Sequence, residues 1–236
     1  LRCINRLEHQ TSGRILYHGK EIRDVQREIN RYRAKVGMVF QSFNLFNNMT
    51  VLENCMCCTR RVLHLSKKEA FDRAISHLKK VGMAPYINAR PAQLSGGQKQ
   101  KVAIAAILAL QPDVILLDEP TGELDPESSV MIFELLKALN RDYGKTVVVV
   151  EQKIMLLCSY VNRIILMEKG RVAFDGPTGA VAGKAGLFRE QGINIPRVTE
   201  LGENLRAMGL YNGQLPLTLE GGEKMAREVM AGAGIS

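Results

Sequence analysis

Two acidic residues that follow an apolar run offer the clearest chemistry in the sequence. Residues 114–117 are Val-Ile-Leu-Leu, and Asp118 and Glu119 come directly after them. A buried parallel strand brings its last residues to the carboxyl edge of its sheet, where such sheets bind ligands. There Asp118 could hold a Mg²⁺ ion through its water shell, and Glu119 could polarise an attacking water molecule. A strand that ends in an ordinary polar turn would show the same pattern.

A second candidate site lies at the start of a predicted helix, where Ser95, Gly96, Gly97 and Gln98 follow one another. Serine is a favoured N-cap, and glycine lets the backbone approach a ligand closely. The free N–H groups of a helix start also bind anions. Because two glycines in the first turn weaken a helix, an ordinary capped helix is the poorer interpretation.

Alternating strands and helices must position these residues. Asp125 is the predicted N-cap of a helix that begins at Pro126 and extends to about Arg141. Apolar strands separated by helices predict an α/β fold with a parallel sheet covered on both faces. The predicted strands are Arg14–Tyr17, Val36–Phe40, Val114–Leu117, Thr146–Val150, Arg163–Met167 and Arg171–Phe174.

Helical signals are concentrated in an insert and in the tail. Thr50 with Glu53 and Ser66 with Glu69 predict two capping boxes, which place a helical insert over residues 47–93. Residues 175–177, Asp-Gly-Pro, predict the end of the strand pattern. The remaining tail, 181–236, is predicted to be poorer in helix, with one helix over Thr199–Met208 and another over Glu223–Met230. The first seven residues are predicted to form the end of a helix.

The composition argues against a nucleic-acid-binding protein, a membrane-spanning helix and a disulfide-bonded secreted protein. The 236 residues carry a formal net charge of +8, but acidic residues lie among the basic ones, so charge does not favour nucleic acid as a partner. The longest apolar run, Val102–Leu110, is too short to span a bilayer. Five cysteines, an odd number with three of them close together, favour free thiols in a reducing compartment. A metal pair formed by Cys55 and Cys58 is the weaker alternative.

Four motifs in order resemble those of the ABC ATPases, over residues 1 to about 180. Leu94–Gln98 resembles the signature sequence, and Asp118-Glu119 resembles the Walker B acids. Glu123-Leu124-Asp125 resembles the loop that crosses the ATPase dimer. Gln41, after the strand Val36–Phe40, resembles the glutamine that reports the nucleotide state to the membrane subunits.

This resemblance implies a P-loop NTPase fold in which ATP and Mg²⁺ bind between two ATPase subunits. Glu119, Gln152 and Gln41 would be catalytic, and Asp118 and Gln41 would hold Mg²⁺, partly through water. The nucleotide of the other subunit would contact a second set of residues: Ser95, Gly96, Gly97, Gln98 and Asp125. The implied parts are a partial ATPase core (1–46), a helical subdomain (47–93), the rest of the core (94–180) and a C-terminal extension (181–236).

Three departures from the family pattern stand out. The Gly-rich Walker A loop is absent from the sequence, and Leu1–Asn5 resembles the helix that follows it, so we expect the chain to be truncated at its N-terminus and inactive as given. Gln152 replaces the usual histidine of the switch. Lys101 and Ala106 replace common arginines.

The tail resembles the C-terminal extension of energy-coupling factor transporter ATPases, which drive the uptake of vitamins and metal ions such as cobalt. The resemblance covers Gly192–Leu201, Leu205-Arg206 and Leu217–Glu220. We therefore favour an importer subunit of this type, which acts with a transmembrane subunit at the cytoplasmic face of the membrane and binds no nucleic acid. Residues 43–46 and Thr50–Asn54 instead resemble importers of polar amino acids. A soluble ABC ATPase of DNA repair or translation is the remaining alternative.

Overall fold

The computed structural model describes residues 1–233, which divide into two compact units. The first unit spans Leu1–Glu151, and the second begins at Gln152. The elements of the first unit are β1 (Leu16–Tyr17), β2 (Lys20–Glu21), α1 (Gln26–Lys35), β3 (Val36–Val39), α2 (Val51–Val62), α3 (Lys67–Lys80), α4 (Gly96–Leu108), β4 (Val114–Asp118), α5 (Pro126–Tyr143) and β5 (Thr146–Val150). Those of the second unit are α6 (Ile154–Tyr160), β6 (Arg163–Glu168), β7 (Arg171–Pro177), α7 (Ala185–Glu190), α8 (Arg197–Ala207) and α9 (Leu219–Gly232).

Three parallel strands form the core sheet of the first unit, in the order β3-β4-β5. Every residue of β3 is buried, as is the middle of β4, because these apolar strands pack against helices. On one face, α4 and α5 cover the sheet through a cluster that includes Ile104, Ile115, Leu117, Ile132 and Leu136. The predicted α/β fold with a parallel sheet is confirmed.

The second face of this sheet is covered only in part. Tyr32 of α1 packs there against Val36, Met38 and Leu116, which belong to β3 and β4. On β5, Val148 and Val150 are 38% and 44% exposed. The prediction that both faces are covered is therefore wrong at β5, because this second layer, as the described residues form it, covers only β3 and β4.

The helical insert forms a separate hydrophobic cluster. Both capping boxes are present, at Thr50 with Glu53 and at Ser66 with Glu69, and they start α2 and α3. The buried amide of Asn54 holds the loop that leads into α2, since its Oδ1 accepts from the Phe46 N–H at 2.8 Å and its Nδ2 donates to the Thr50 carbonyl at 2.9 Å. Apolar side chains of α2, α3 and α4 fill the interior, among them Val51, Cys55, Ala74, Leu78, Val102 and Ala105.

The first seven residues form turns rather than the predicted end of a helix. Side chains of α1 hydrogen-bond to the backbone carbonyls of this segment. The Tyr32 hydroxyl donates to the Ile4 carbonyl at 2.7 Å, and Arg33 donates to the carbonyls of Asn5 and Arg6. Arg6 also has a positive φ of 57°, which interrupts a right-handed helix.

In the second unit, β6 and β7 pair as an antiparallel hairpin. The predicted break at Asp175–Pro177 is wrong, since β7 continues through Pro177. An ion pair extends the strand, because Arg163 at the start of β6 donates to both carboxylate oxygens of Asp175, at 2.7 and 2.6 Å. The apolar cluster beneath the hairpin includes Ile154, Ile164, Leu166, Val181 and Phe188.

The tail holds more helix than the sequence predicts. The two predicted helices correspond to α8 and α9, and the short helix α7 is additional. α8 and α9 pack so closely that a Cβ on Gly222 of α9 would lie 2.7 Å from Cγ1 of Val198 on α8. None of the described helices is long and apolar enough to cross a membrane.

Candidate active site

The ends of three neighbouring strands bring candidate residues to one edge of the core sheet. Val39 pairs with Leu117, so Gln41 comes level with Glu119 when the register is extended by two residues. Asp118 pairs with Val150, so Glu119 comes level with Glu151 when that register is extended by one. Because the strands are parallel, all three residues follow carboxyl ends, where α/β sheets bind ligands.

Glu119 has an unusual backbone conformation that hydrogen bonds hold in place. Its φ is +43°, in the left-handed region that non-glycine residues rarely adopt. Its N–H donates to the Val150 carbonyl at 2.9 Å, and its carbonyl accepts from the Gly122 N–H at 3.0 Å. The chain therefore turns sharply directly after β4, and residues 119–122 form this turn.

Gly122 lies against both Gln41 and Glu119. A Cβ on Gly122 would be 3.3 Å from Nε2 of Gln41, 3.4 Å from the Glu119 carbonyl oxygen and 3.7 Å from Oε2 of Glu119. The side-chain amide of Gln41 and the carboxylate of Glu119 thus approach the same point of the turn. The structure brings together two residues that are 78 positions apart in the printed sequence.

A second hydrogen bond joins the turn to the end of β5. Thr121 is fully buried, and its hydroxyl donates to Oε2 of Glu151 at 2.6 Å. Buried hydroxyl groups need a partner, and a carboxylate makes a short, strong one. Glu151 therefore contacts the turn that carries Glu119.

The signature residues form a capped helix start. Ser95 is the N-cap of α4, and its hydroxyl accepts from the Gln98 N–H at 3.3 Å. In return, the Ser95 N–H donates to Oε1 of Gln98 at 2.9 Å. This reciprocal capping box fixes the first turn of α4, whose N–H groups are the ones predicted to bind an anion.

The two signature glycines pack against the loop that leads into α5. A Cβ on Gly96 would lie 3.2 Å from Cδ2 of Leu124, and one on Gly97 would lie 3.0 Å from Oγ of Ser128. A side chain at either position would press on this neighbouring loop and helix. The start of α4 is therefore packed against residues 123–128, which follow the turn at Glu119.

Asp125 caps α5 with its own carboxylate. Its Oδ1 accepts from the Ser128 N–H at 2.8 Å. Hydrogen bonds from the side chain of Ser128 and then from its backbone N–H hold the pKa of the Asp125 carboxyl below its usual range, so the group is ionised at neutral pH. The carboxylate faces the first turn of its own helix, and the side chain remains exposed.

The predicted residues thus fall into three places. Gln41, Asp118 and Glu119 lie at the sheet edge, and Ser95–Gln98 lie beside the loop that contains Asp125. Gln152 is exposed and is the first residue of the second unit. Sequence reasoning missed Thr121 and Ser128, which carry no motif of their own. The one signal for Thr121 was its own type and position, because it is a small polar residue two positions after Glu119.

Comparisons with known proteins identify the family of the chain. The model of the ABC transporter family matches residues 1–122, half of the chain. The glutamine transport ATP-binding protein GlnQ of Geobacillus stearothermophilus is 42% identical over 177 residues, which are 75% of this chain and 73% of that protein. The methionine import ATP-binding protein MetN 2 of Bacillus cereus is 41% identical over 177 residues, 75% of this chain and 52% of that protein.

Two solved structures are similar as well. The chain cbiO1 of Clostridium perfringens, part of the ABC transporter complex cbiONQ, is 30% identical with a TM-score of 0.72, over 86% of this chain and 80% of that one. A dimeric ATP-binding cassette in a post-hydrolysis state, bound to ADP and Pi, is 37% identical with a TM-score of 0.66, over 75% of this chain and 78% of that one. The chain belongs to the ABC transporter family, as an ATP-binding subunit of the ATPase type.

Proposed function

We propose that this chain is the ATP-hydrolysing subunit of an importer of the energy-coupling factor type. The observation that carries the proposal is the extent of the likeness to cbiO1, which covers 86% of the chain, whereas the likeness to the dimeric cassette covers 75%. The additional coverage exceeds what the ATPase core alone provides. It agrees with the resemblance of the tail to the C-terminal extension of this type of ATPase.

Glu119 is the proposed catalytic base. Its carboxylate lies at the carboxyl edge of the sheet and approaches the same point of the turn as the Gln41 amide, and there it can accept a proton from a water molecule that attacks the γ-phosphate. Gln41 orients this water and reports the state of the nucleotide. Gln152, which offers an amide donor, is proposed to contact the γ-phosphate.

The donor atoms at the sheet edge suit Mg²⁺. Asp118 ends β4 half-buried, and Gln41 comes level with the residue that follows it. Carboxylate and amide oxygens are the hard ligands that Mg²⁺ prefers, and water completes its octahedral shell. Asp118 and Gln41 would hold the ion, whose positive charge offsets the negative charge of the phosphates.

The signature residues are proposed to act on the nucleotide of a second ATPase subunit. The start of α4 offers Ser95 and the N–H groups of Gly96 and Gly97, a set that suits a phosphate and not a metal. Asp125, in the adjacent loop, would lie at the same subunit boundary. The proposed assembly is a homo- or heterodimer that binds a transmembrane subunit at the cytoplasmic face of the membrane.

Residues 1–236 contain no Gly-rich Walker A loop, and this determines how ATP hydrolysis must be assayed. We expect no turnover from residues 1–236 by themselves, because no Gly-rich loop with its Lys cradles the β- and γ-phosphates. Assays therefore need a chain that carries such a loop ahead of Leu1, which we call the loop-bearing chain. Steady ATP hydrolysis by residues 1–236 alone would contradict this expectation.

An importer of amino acids is the second candidate. The 42% identity to GlnQ, over 177 residues, favours it. Uptake measurements separate the two candidates. Deletion of the gene should abolish uptake of a labelled vitamin or of cobalt if the energy-coupling factor assignment is correct, while uptake of labelled glutamine and methionine continues. The opposite result would support the amino-acid importer and exclude our first proposal.

A further inference from the structure

We propose that Glu151 is a positioning residue for ATP hydrolysis, which holds the turn that carries Glu119 through a hydrogen bond from Thr121. The inference rests on the proposed function, because it assumes that Glu119 is the base. Glu151 occupies none of the positions that the ABC motifs assign to chemistry. Its role follows from the contacts of its side chain.

A short hydrogen bond joins Thr121 to Glu151. Thr121 is 0% exposed, and its hydroxyl donates to Oε2 of Glu151 at 2.6 Å. The two residues are 30 positions apart, so the bond joins separate parts of the chain. A carboxylate accepts a shorter and stronger bond than a neutral oxygen, and a buried hydroxyl that loses its partner is costly. The contact is therefore a firm attachment of the turn.

This bond lies beside a second attachment of the same turn. The turn of residues 119–122 is tied to the end of β5 at two points, on either side of Pro120. The backbone N–H of Glu119 donates to the Val150 carbonyl, and the side chain of Thr121 donates to Glu151. Val150 is the last residue of β5 and Glu151 follows it, so two bonds to consecutive residues fix both the position and the rotation of the turn.

The turn holds Glu119 in an unusual backbone conformation. Glu119 has a φ of +43°, a conformation that an L-residue leaves readily unless its surroundings enforce it. The turn also brings Gly122 against the Gln41 amide and the Glu119 carboxylate. If the Thr121 bond is lost, the turn can relax, and the Glu119 carboxylate then moves relative to the attacking water.

This arrangement predicts an effect on kcat rather than on KM. The Glu151 carboxylate accepts from Thr121, and through this bond it affects the placement of Glu119. A misplacement of about 1 Å in a reacting group can lower the rate about a hundredfold. Affinity for ATP depends on other parts of the site, and we expect it to change little.

Four variants of the loop-bearing chain test the bond. Thr121→Val removes the donor and nearly keeps the shape, and Glu151→Ala removes the acceptor. Thr121→Ser keeps a hydroxyl, and Glu151→Gln keeps an acceptor oxygen without the charge. We expect Thr121→Val and Glu151→Ala each to lower kcat about tenfold to a hundredfold, with KM for ATP within about threefold of the unsubstituted value. Thr121→Ser and Glu151→Gln should restore most of the turnover.

A double-mutant cycle shows whether the two residues act through each other. The combined variant Thr121→Val/Glu151→Ala should be no slower than the slower single variant, because both changes remove the same bond. Thr199→Val is the matched control, since Thr199 is also fully buried and its hydroxyl donates to the Pro216 carbonyl. It should lower the melting temperature and leave kcat unchanged.

Several outcomes would overturn the inference. Fully additive losses in the cycle, or a Glu151→Gln variant as slow as Glu151→Ala, would show that this hydrogen bond is not what positions the turn. A lower melting temperature with unchanged kcat in Thr121→Val would show that the bond stabilises the fold without affecting hydrolysis.

The variant Glu119→Gln in the same chain distinguishes a failure of this inference from a failure of the proposed function. If Glu119→Gln turns over normally, the proposed base is wrong. If it is inactive while the Thr121 and Glu151 variants turn over normally, only the present inference fails.

Discussion

A methyl group on Gly97 would stand 3.0 Å from Oγ of Ser128 and 3.1 Å from its Cβ. This close approach joins the start of α4 to the first turn of α5. Alanine is favoured over glycine inside a helix by about 1 kcal/mol, which opposes the steric cost of the contact. The two effects oppose each other in stability, but only the steric one displaces the helix start.

For Gly97→Ala we therefore expect a melting temperature within a few degrees of that of the unsubstituted chain. We expect ATP hydrolysis to be about tenfold slower or more, because small displacements of active-site groups slow reactions by such factors. Gly186→Ala is the matched control, because Gly186 lies in α7 with open space around its Cβ position. That change should leave hydrolysis unaltered. Normal hydrolysis in Gly97→Ala would show that the start of α4 tolerates the displacement and is not a phosphate site.

The second prediction concerns Glu119. In the loop-bearing chain, Glu119→Gln should nearly abolish hydrolysis and preserve ATP binding, because the amide is a close isostere and a poor base. The ATP-bound dimer should then accumulate, which a sizing column with ATP can detect. Glu127→Gln, an exposed neighbour in the first turn of α5, controls for the loss of one charge. Turnover close to normal in Glu119→Gln would mean that another group is the base.

Local signals in the sequence predict much of this fold, and contacts between distant segments account for what was missed. The capping boxes at Thr50 and Ser66 depend on residues three positions apart, and both are present. The extension of β7 through Pro177 depends on Arg163, twelve positions before Asp175, and was missed. Strand alternation predicts that Glu151 points away from the face that Gln152 occupies. It does not predict that Thr121 meets Glu151 there.

The third prediction concerns the exposed apolar residues of the tail. Leu201 lies on α8 and Met208 caps its C-terminal end, and they are 49% and 70% exposed, whereas Val198 packs on α9. We propose that Leu201 and Met208 contact a second subunit. Leu201→Glu/Met208→Glu should shift the protein from dimer toward monomer on a sizing column and leave nucleotide binding intact.

Deletion of residues 181–236 is a poorer test of that contact. Val181, Ala185 and Phe188 belong to the apolar cluster beneath the β6–β7 hairpin, so the deletion would expose this core.

Val172→Glu is the control for the double variant Leu201→Glu/Met208→Glu, because Val172 is also an exposed apolar residue, 58% exposed on the β6–β7 hairpin. An unchanged elution volume for the double variant would show that α8 does not mediate association.

The fourth prediction concerns pH and His77. Burial, followed by the nearby cations Lys80, Arg73 and Lys145, lowers the pKa of His77 from 6.5 to about 4. Its Nδ1 is buried without a hydrogen-bond partner among the described residues. The unfolded chain therefore binds a proton before the folded one, so this contribution to stability is complete above pH 6.5 and is lost as the pH falls toward 4.

We expect the free energy of unfolding to drop by about 1–2 kcal/mol between pH 7 and pH 5, a figure reduced from the full shift because His77 is partly exposed to solvent. Denaturant titrations at the two pH values measure this difference. His77→Gln should remove most of it, since glutamine does not titrate. If the free energy of unfolding changes equally with pH in the unsubstituted chain and in His77→Gln, other groups cause the change.

The last prediction concerns Gln152, which stands where most relatives have histidine. Histidine can donate to the γ-phosphate and can also titrate near neutral pH, whereas glutamine keeps a donor and cannot change charge. If Gln152 retains the switch role, Gln152→Ala should lower hydrolysis at least severalfold in the loop-bearing chain paired with its natural partner. Gln152→His should retain or raise the rate and introduce a pH dependence near neutrality, which a profile of kcat against pH would show. If both variants match the unsubstituted chain, this position has lost its role, and the nucleotide site on the partner carries the turnover.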